Sequence, residues 1–363
     1  MRADQACRAM QRGIQTVLAD AKCILVPMAD GGEGTVDALV SALNGRIVSC
    51  DVTGSLPEQQ LTTYLGLIHD GQTAVIEMAK ANGLELLDTE QRNPLKTSSF
   101  GTGQLILKAL DLGVSKIIIG LGGSATNDAG AGMAQALGVR FLAETGVIHI
   151  HGGGDLDQVV GIDLSALDVR LAKVEIVIAS DVSNPLCGEQ GASAVFGPQK
   201  GASLEMVQRL DANLSHFADV VESQLKLHVK HTPGSGAAGG LGFGLMAFTG
   251  AKIQSGAALM IAETGLAEHI AEADFVFTGE GSLDFQTQFG KTPWAIAQVA
   301  KRFDKPLVAF AGRVGEGIEV LYAQGFTHIH CINPPDCDLE TALKNAEKNL
   351  MDTVVDVVLS LKK

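Results

Sequence analysis

A net charge of −14 over 363 residues excludes an extended nucleic-acid surface, which needs a basic stripe, and requires any anionic ligand to be met by a local cluster of positive groups. The length allows two domains or three with sizeable cores, and the wealth of small aliphatic residues beside one Trp and two Tyr favours an α/β fold. No apolar run reaches membrane-spanning length, the charged start has no signal core, and six scattered cysteines lack a C-x-x-C pair, so a cytoplasmic protein with reduced thiols and no membrane partner is expected.

In chain order, residues 3–19 repeat apolar positions at helical spacing (Ala6, Met10, Ile14, Val17, Leu18) and predict an amphipathic helix. Cys23–Met28 reads as a buried strand, and Thr35–Asn44 as a helix stopped by Asn44-Gly45. Arg46–Val52, Leu61–Ile68 and Thr73–Met78 read as an antiparallel meander, its last two strands joined across Asp70-Gly71. Such a meander does not belong inside a doubly wound sheet, which places a domain boundary near residue 46. Helix Gly101–Leu112, strand Lys116–Gly120 and helix Ala129–Leu137 follow, then a loop-rich stretch from Glu144 to Leu167 and strand Val174–Ser180. Residues 203–228 carry a long apolar stripe and predict a helix, and the Gly- and Ala-rich stretch to about 265 reads as helical. From Asp274 the alternation is regular: strand Phe275–Thr278, helix 292–302, strand Leu307–Ala311, helix 316–324, strand His328–Ile332, helix 339–361. These βαβ units imply a parallel sheet that the Cys23–Met28 strand joins. Residues 1–45 with 271–363 therefore form one discontinuous domain, and 46–270 an inserted, mixed α/β domain.

Four glycine-rich stretches carry the chemistry: Asp30-Gly-Gly-Glu-Gly-Thr35, Gly120 to Asp128, Gly234 to Gly242 and Thr278 to Lys291. Glycine lets the backbone approach a bound group, and a helix start aims N–H groups at an anion. Carboxylates in the same turns would repel a bare phosphate, so a divalent cation between the two is expected, and the combination points to phosphoryl chemistry. Within the last stretch Thr278, Glu280, Ser282, Asp284, Gln286, Thr287 and Lys291 form the densest cluster, with Glu280 and Asp284 as candidate metal ligands and Lys291 as a phosphate contact. Acids at a helix start are also ordinary caps. Ser124, Thr126, Asn127 and Asp128 form either an N-cap cluster or a cradle for phosphate or carboxylate. The same two readings hold for Asp30, Gly31, Gly32 and Glu33. Gly239 and Gly240 serve either a ligand or tight helix packing. Asp181, before Asn184-Pro185, sits in a motif that is also a plain turn. The pairs His149/His151 and His328/His330 would share a strand face, but with no nearby Cys or acidic ligand motif they are read as strand packing. Neither a Walker loop nor the protein-kinase motif set is present.

Together these motifs resemble the bacterial type-1 glycerate kinases over nearly the whole chain. The resemblance rests on Asp30-Gly-Gly-Glu-Gly-Thr-Val, Glu77-Met-Ala, Gly83-Leu-Glu-Leu, Ser99-Phe-Gly-Thr-Gly, Gly120-Leu-Gly-Gly-Ser-Ala-Thr-Asn-Asp, Ser180-Asp-Val-Ser-Asn-Pro-Leu, Phe196-Gly-Pro-Gln-Lys-Gly, Gly236-Ala-Ala-Gly-Gly-Leu-Gly and Thr278-Gly-Glu-Gly-Ser-Leu-Asp. It implies a flavodoxin-like domain interrupted by a second α/β domain, and ATP with Mg2+ as the phosphoryl donor to glycerate. The product would be a phosphoglycerate, 2-phosphoglycerate being the commoner one in the family. The match raises Asp181 and Lys200 beside Asp284 as catalytic candidates, with Asp181 or Asp284 orienting the acceptor hydroxyl. A monomer or homodimer is expected. One feature departs from the family, whose members open on a β-strand and a Pro-Asp-Ser-(Phe/Tyr)-Lys loop, whereas this sequence opens on the helix at Met1-Arg-Ala-Asp. In a sheet of order 2-1-3-4-5 that strand lies between Cys23–Met28 and Phe275–Thr278, so either a gap or direct pairing of those two is expected. A displaced or truncated start is the favoured explanation, because the later motifs look undamaged. The alternative function is a non-catalytic relative that binds a nucleotide or small hydroxy acid.

Overall fold

The structure, a computed structural model, describes residues 1–29 and 31–362. The chain gathers into two compact units, Met1–Asp30 with Ser41–Leu43 and Ala257–Lys363, and Gly31–Val40 with Asn44–Gly256.

The larger unit is built on a six-stranded mixed sheet in the order 46–53, 60–68, 73–77, 116–120, 175–179, 252–254. The predicted meander forms its antiparallel half, and the turn before Thr73 places Asp70 and Gly71 at φ 53° and 82° as its Asp-Gly signal requires. Strand Thr73–Glu77, buried at every residue, then pairs in parallel with Lys116–Gly120, which pairs with Glu175–Ala179, itself parallel to Lys252–Gln254. The continuous aliphatic runs Ile117–Ile119 and Ile176–Ile178 are buried on both faces, as central parallel strands must be. Helix Phe100–Asp111 packs Leu105, Ile106 and Ala109 into the cluster beneath them. A second cluster gathers Phe141, Phe217, Phe243 and Phe248, with Phe141 and Phe217 centroids 5.4 Å apart. Its long helix Leu204–Leu225 starts at a Ser203 cap whose hydroxyl accepts the Met206 N–H.

Two stretches differ from the sequence reading. The supposed loop after Glu144 contributes to a small antiparallel sheet of Arg140–Ala143, Gly146–Ile148 and Gly161–Asp163, strands too short to show a period. The helical reading to residue 265 is interrupted by the strand Lys252–Gln254 between helices Ala237–Thr249 and Gly256–Thr264.

The smaller unit holds a parallel sheet in the order 276–283, 307–314, 328–331, alternating with helices as predicted. Helices Ala3–Val17 and Leu339–Leu361 pack together over Val308 and Phe310, burying Ala9, Met10, Val354 and Val357. Cys23–Met28 is not a strand and joins no sheet among the described residues, so the expected fourth parallel strand and its direct pairing with Phe275–Thr278 are both corrected. A strand exists through its ladder, and Val276–Leu283 forms its ladder with Leu307–Val314. The segment is held by side chains instead, Val26 and Met28 packing on the cluster around Val276, Leu307 and Ala309. No helix among the described residues is long and apolar enough to cross a membrane.

Candidate active site

In the larger unit three parallel strands end in one row, since Glu77 pairs with Gly120 and Gly120 with Ala179. Ligands of open α/β sheets sit beyond such carboxyl ends. The first glycine turn lies against this row with no side chain between the backbones. A Cβ on Gly31 would strike the Ala179 carbonyl oxygen, one on Gly120 would lie 2.5 Å from the Gly31 oxygen, and one on Gly122 2.6 Å from the Gly32 Cα. Gly31 is buried, Gly32 half-buried and Glu33 exposed, while the expected partner Asp30 lies outside the described residues. The start of helix Thr35–Ala42 is already taken by the protein's own carboxylate, because the Val36 N–H donates to Glu77 Oε1 at 2.7 Å. Burial raises the Glu77 carboxyl above its ordinary range, against the Val36 and Gly34 N–H groups and the Lys80 ammonium, which lower it. Sequence reasoning did not single out Glu77 as a site residue. The signal was an acid ending an otherwise apolar strand.

Ser124, Thr126, Asn127 and Asp128 are all buried in the second glycine stretch. Asp128 spends its oxygens within the protein: Oδ2 accepts from the Ser99 N–H and hydroxyl, both at 2.8 Å, and from the Gly132 N–H at 3.1 Å, while Oδ1 accepts from the Gly130 N–H at 3.2 Å. It thereby ties the starts of helices Phe100–Asp111 and Ala131–Ala136 together, and burial raises its carboxyl above the ordinary value. Lys200 is 1 % exposed, and its Nζ donates to Ser124 Oγ and to the Thr126 carbonyl, both at 2.7 Å. Burial pushes its ammonium down to about 7, with the charge of Asp128 opposing. Asn127 Oδ1 accepts from the Ser193 hydroxyl, whereas Thr126 Oγ1 and Asn127 Nδ2 are buried without a hydrogen-bond partner among the described residues. Gly239, at φ +67°, presses on this stretch so closely that a Cβ would strike the Thr126 carbonyl and lie 2.7 Å from the Asn127 Cα. Gly240 similarly abuts the Ala129 backbone. Asp181 is exposed just beyond the carboxyl end of Glu175–Ala179. The larger unit thus gathers Gly31–Glu33, Ser124–Asp128, Lys200, Gly239 and Gly240 around the carboxyl end of one sheet.

The smaller unit holds the rest. The strand expected to end at Thr278 runs to Leu283, because the equally long neighbour Leu307–Val314 supplies a ladder through the glycines. Glu280 is therefore a strand residue and not part of a helix-opening turn, and alternation puts Thr278, Glu280 and Ser282 on one face. Asp284 caps the short 3-10 helix Phe285–Phe289, its Oδ1 accepting the Gln286 N–H at 2.8 Å, and Gln286 is exposed. Lys291 precedes helix Thr292–Arg302, with its Nζ 3.9 Å from Glu280 Oε1. Glu280 and Asp284 are hard oxygen donors, and magnesium takes one or two carboxylates besides the phosphates it accompanies, so the donor set fits that ion in kind. The two His-x-His pairs stack at 6.4 and 6.2 Å, and among the described residues no group of three His, Cys, Asp or Glu side chains is placed to hold a metal.

The sequence profile described as "Glycerate kinase family" matches residues 1–362. A protein named glycerate kinase from Halalkalibacterium halodurans is 47% identical over 350 residues, 96% of this chain and 92% of its own. The protein named glycerate 2-kinase from Escherichia coli K12 is 45% identical over 348 residues, 96% and 91% of the two chains. A crystal structure from Salmonella typhimurium LT2, provisionally named glycerate kinase 2, is similar at a TM-score of 0.88 and 45% identity, covering 99% of this chain and 94% of its own. The chain belongs to the glycerate kinase family.

Proposed function

We propose that the protein transfers the γ-phosphoryl group of ATP to a hydroxyl of glycerate, releasing ADP and 2-phosphoglycerate. The observation that carries this reading is identity of 45–47% over more than nine-tenths of proteins named for that activity, one of them for the 2-position. Phosphoryl transfer asks the protein to position its reactants and offset charge, and it asks little covalent chemistry of the side chains. The acceptor oxygen forms its bond to the γ-phosphorus as the bond to the ADP oxygen breaks, and the hydroxyl proton passes to an aspartate. Asp284 or Asp181 is that acceptor. Glu280 and Asp284 would hold a magnesium ion accompanying ATP, which would supply neutralisation of phosphate charge, and Lys291 acts as a point charge on the phosphates. Gly31, Gly32, Glu33, Ser124, Thr126, Asn127 and Lys200 serve substrate binding, and so does Asp30. A non-catalytic relative is the less favoured reading, because the relatives named as kinases match along almost all of this chain. The enzyme works in the cytoplasm as a monomer or homodimer on two small-molecule substrates. A coupled ADP-release assay with D-glycerate, with the product's phosphorus position read by NMR, tests the proposal. No glycerate-dependent ADP release from folded protein overturns it, and 3-phosphoglycerate as product overturns the regiochemistry.

A further inference from the structure

The first glycine turn is held from two sides in different ways. On one side its backbone lies directly on Gly120, Gly122 and Ala179, where a Cβ on the turn has no room and the Gly122 N–H reaches the Gly31 carbonyl only in a long hydrogen bond of 3.5 Å. On the other, the grip is Glu77. It is 1 % exposed, its Oε1 accepts the Val36 N–H at 2.7 Å, and its Oε2 is buried without a hydrogen-bond partner, 4.0 Å from the Lys80 ammonium. The turn also closes on itself, the Thr35 hydroxyl donating to the Gly32 carbonyl at 2.8 Å. A carboxylate this buried, with one oxygen facing an ammonium but accepting no hydrogen bond, is costly, so its retention calls for a specific compensating role. Its strand register supplies one. Glu77, Gly120 and Ala179 stand side by side at the carboxyl end of the parallel strands, and the last two are the residues on which Gly31 rests.

We propose that Glu77 is a positioning residue: its buried carboxylate fastens the start of helix Thr35–Ala42 to the sheet and so fixes the Gly31–Gly34 turn, and with it the exposed Glu33, over the strand ends where substrate is bound. It acts through the Val36 N–H and touches no reactant. The kinetic part rests on the glycerate kinase reading above; the structural part does not.

Because the grip is a hydrogen-bond acceptor and not a charge offered to substrate, Glu77→Gln and Glu77→Ala must separate. Glu77→Gln keeps an oxygen for the Val36 N–H and should hold kcat/KM for glycerate within roughly threefold of the parent, whereas Glu77→Ala should lose about tenfold or more. Where circular dichroism shows that Glu77→Ala has not folded, Glu77→Asp takes its place, since it keeps the charge but falls one methylene short of Val36, and it should show the same loss. Amide hydrogen exchange of the segment holding Val36, followed by mass spectrometry, should quicken about tenfold in the Ala or Asp variant and not in Gln. Equal damage from Gln and Ala would mean that the charge itself meets substrate and would overturn the proposal. So would parent-like kinetics, or parent-like exchange, in a folded Ala or Asp variant. Should the parent protein release no ADP with glycerate, the functional reading fails by itself, and the exchange comparison still decides the role of Glu77.

Discussion

Lys200 shows how one buried group writes a pH dependence into the fold. Its ammonium is pushed down to about 7, so between there and the unfolded lysine value of about 10.4 the folded chain binds fewer protons than the unfolded one. Stability must then rise with pH across that window, by up to about 1.4 kcal/mol per unit, with the burial penalty fully present below it. Asp128 works the other way in a lower window: its raised carboxyl makes the folded state the better proton binder above the unfolded value of about 3.9, so its contribution falls as pH rises there. Urea midpoints of the parent and of Lys200→Met, taken from pH 7 to 10, should differ by an amount that climbs with pH, and a constant difference would remove the buried amine as the cause. Asp284→Asn tests chemistry instead. Asparagine still caps the Gln286 N–H, so melting should stay close to the parent while turnover falls about a hundredfold, and near-normal turnover would take Asp284 out of the mechanism. Residue types and their clustering were readable from the sequence. What each atom is already doing was not: nothing in the spelling of Ser124 to Asp128 says that Asp128 is saturated within the protein, or that Lys200 reaches back to Ser124 from another segment.

At the scale of elements, the glycines divide by what surrounds them. Gly239→Ala would drive a methyl into the Thr126 carbonyl from a left-handed backbone, and should destabilise the protein by roughly 3 kcal/mol or more. Gly34→Ala, at φ +86° with nothing within 4 Å, should cost only the conformational preference, about 1 kcal/mol. Thermal unfolding of the two variants side by side checks the contrast, and equal losses would mean the Gly239 neighbourhood yields. Long periodic helices and continuous aliphatic strands were legible, including 292–302 and 339–361 at their observed limits. Pairing was less so. Cys23–Met28 has a strand's composition and no ladder, and Gly279 to Ser282 has a turn's composition but pairs with the neighbouring strand at Gly279, Glu280 and Ser282. In both cases the neighbour decides, and the neighbour lies far away in the chain.

Across the whole molecule, the division of labour between a discontinuous domain and an inserted one is a proposal that fragments can test. Residues 31–40 pack Val36 and Leu39 fully out of solvent and donate the Val36 N–H to Glu77, so a fragment spanning 31–256 should unfold cooperatively at a higher urea midpoint than one spanning 46–270. The reverse order would place the boundary at residue 46, where the meander begins.

The pairing of helix Ala3–Val17 with helix Leu339–Leu361 has a consequence on the ribosome. The first helix emerges more than three hundred residues ahead of its partner. At 5–20 residues per second, roughly 15 to 70 seconds of synthesis separate the two. Throughout that interval the stripe containing Met10, Ile14 and Val17 has no terminal helix to cover it, while the middle of the chain is free to complete its own sheet. Nascent copies on one message therefore carry matching apolar faces side by side, and slow translation lengthens the time in which a chaperone, or a neighbouring copy, meets them first.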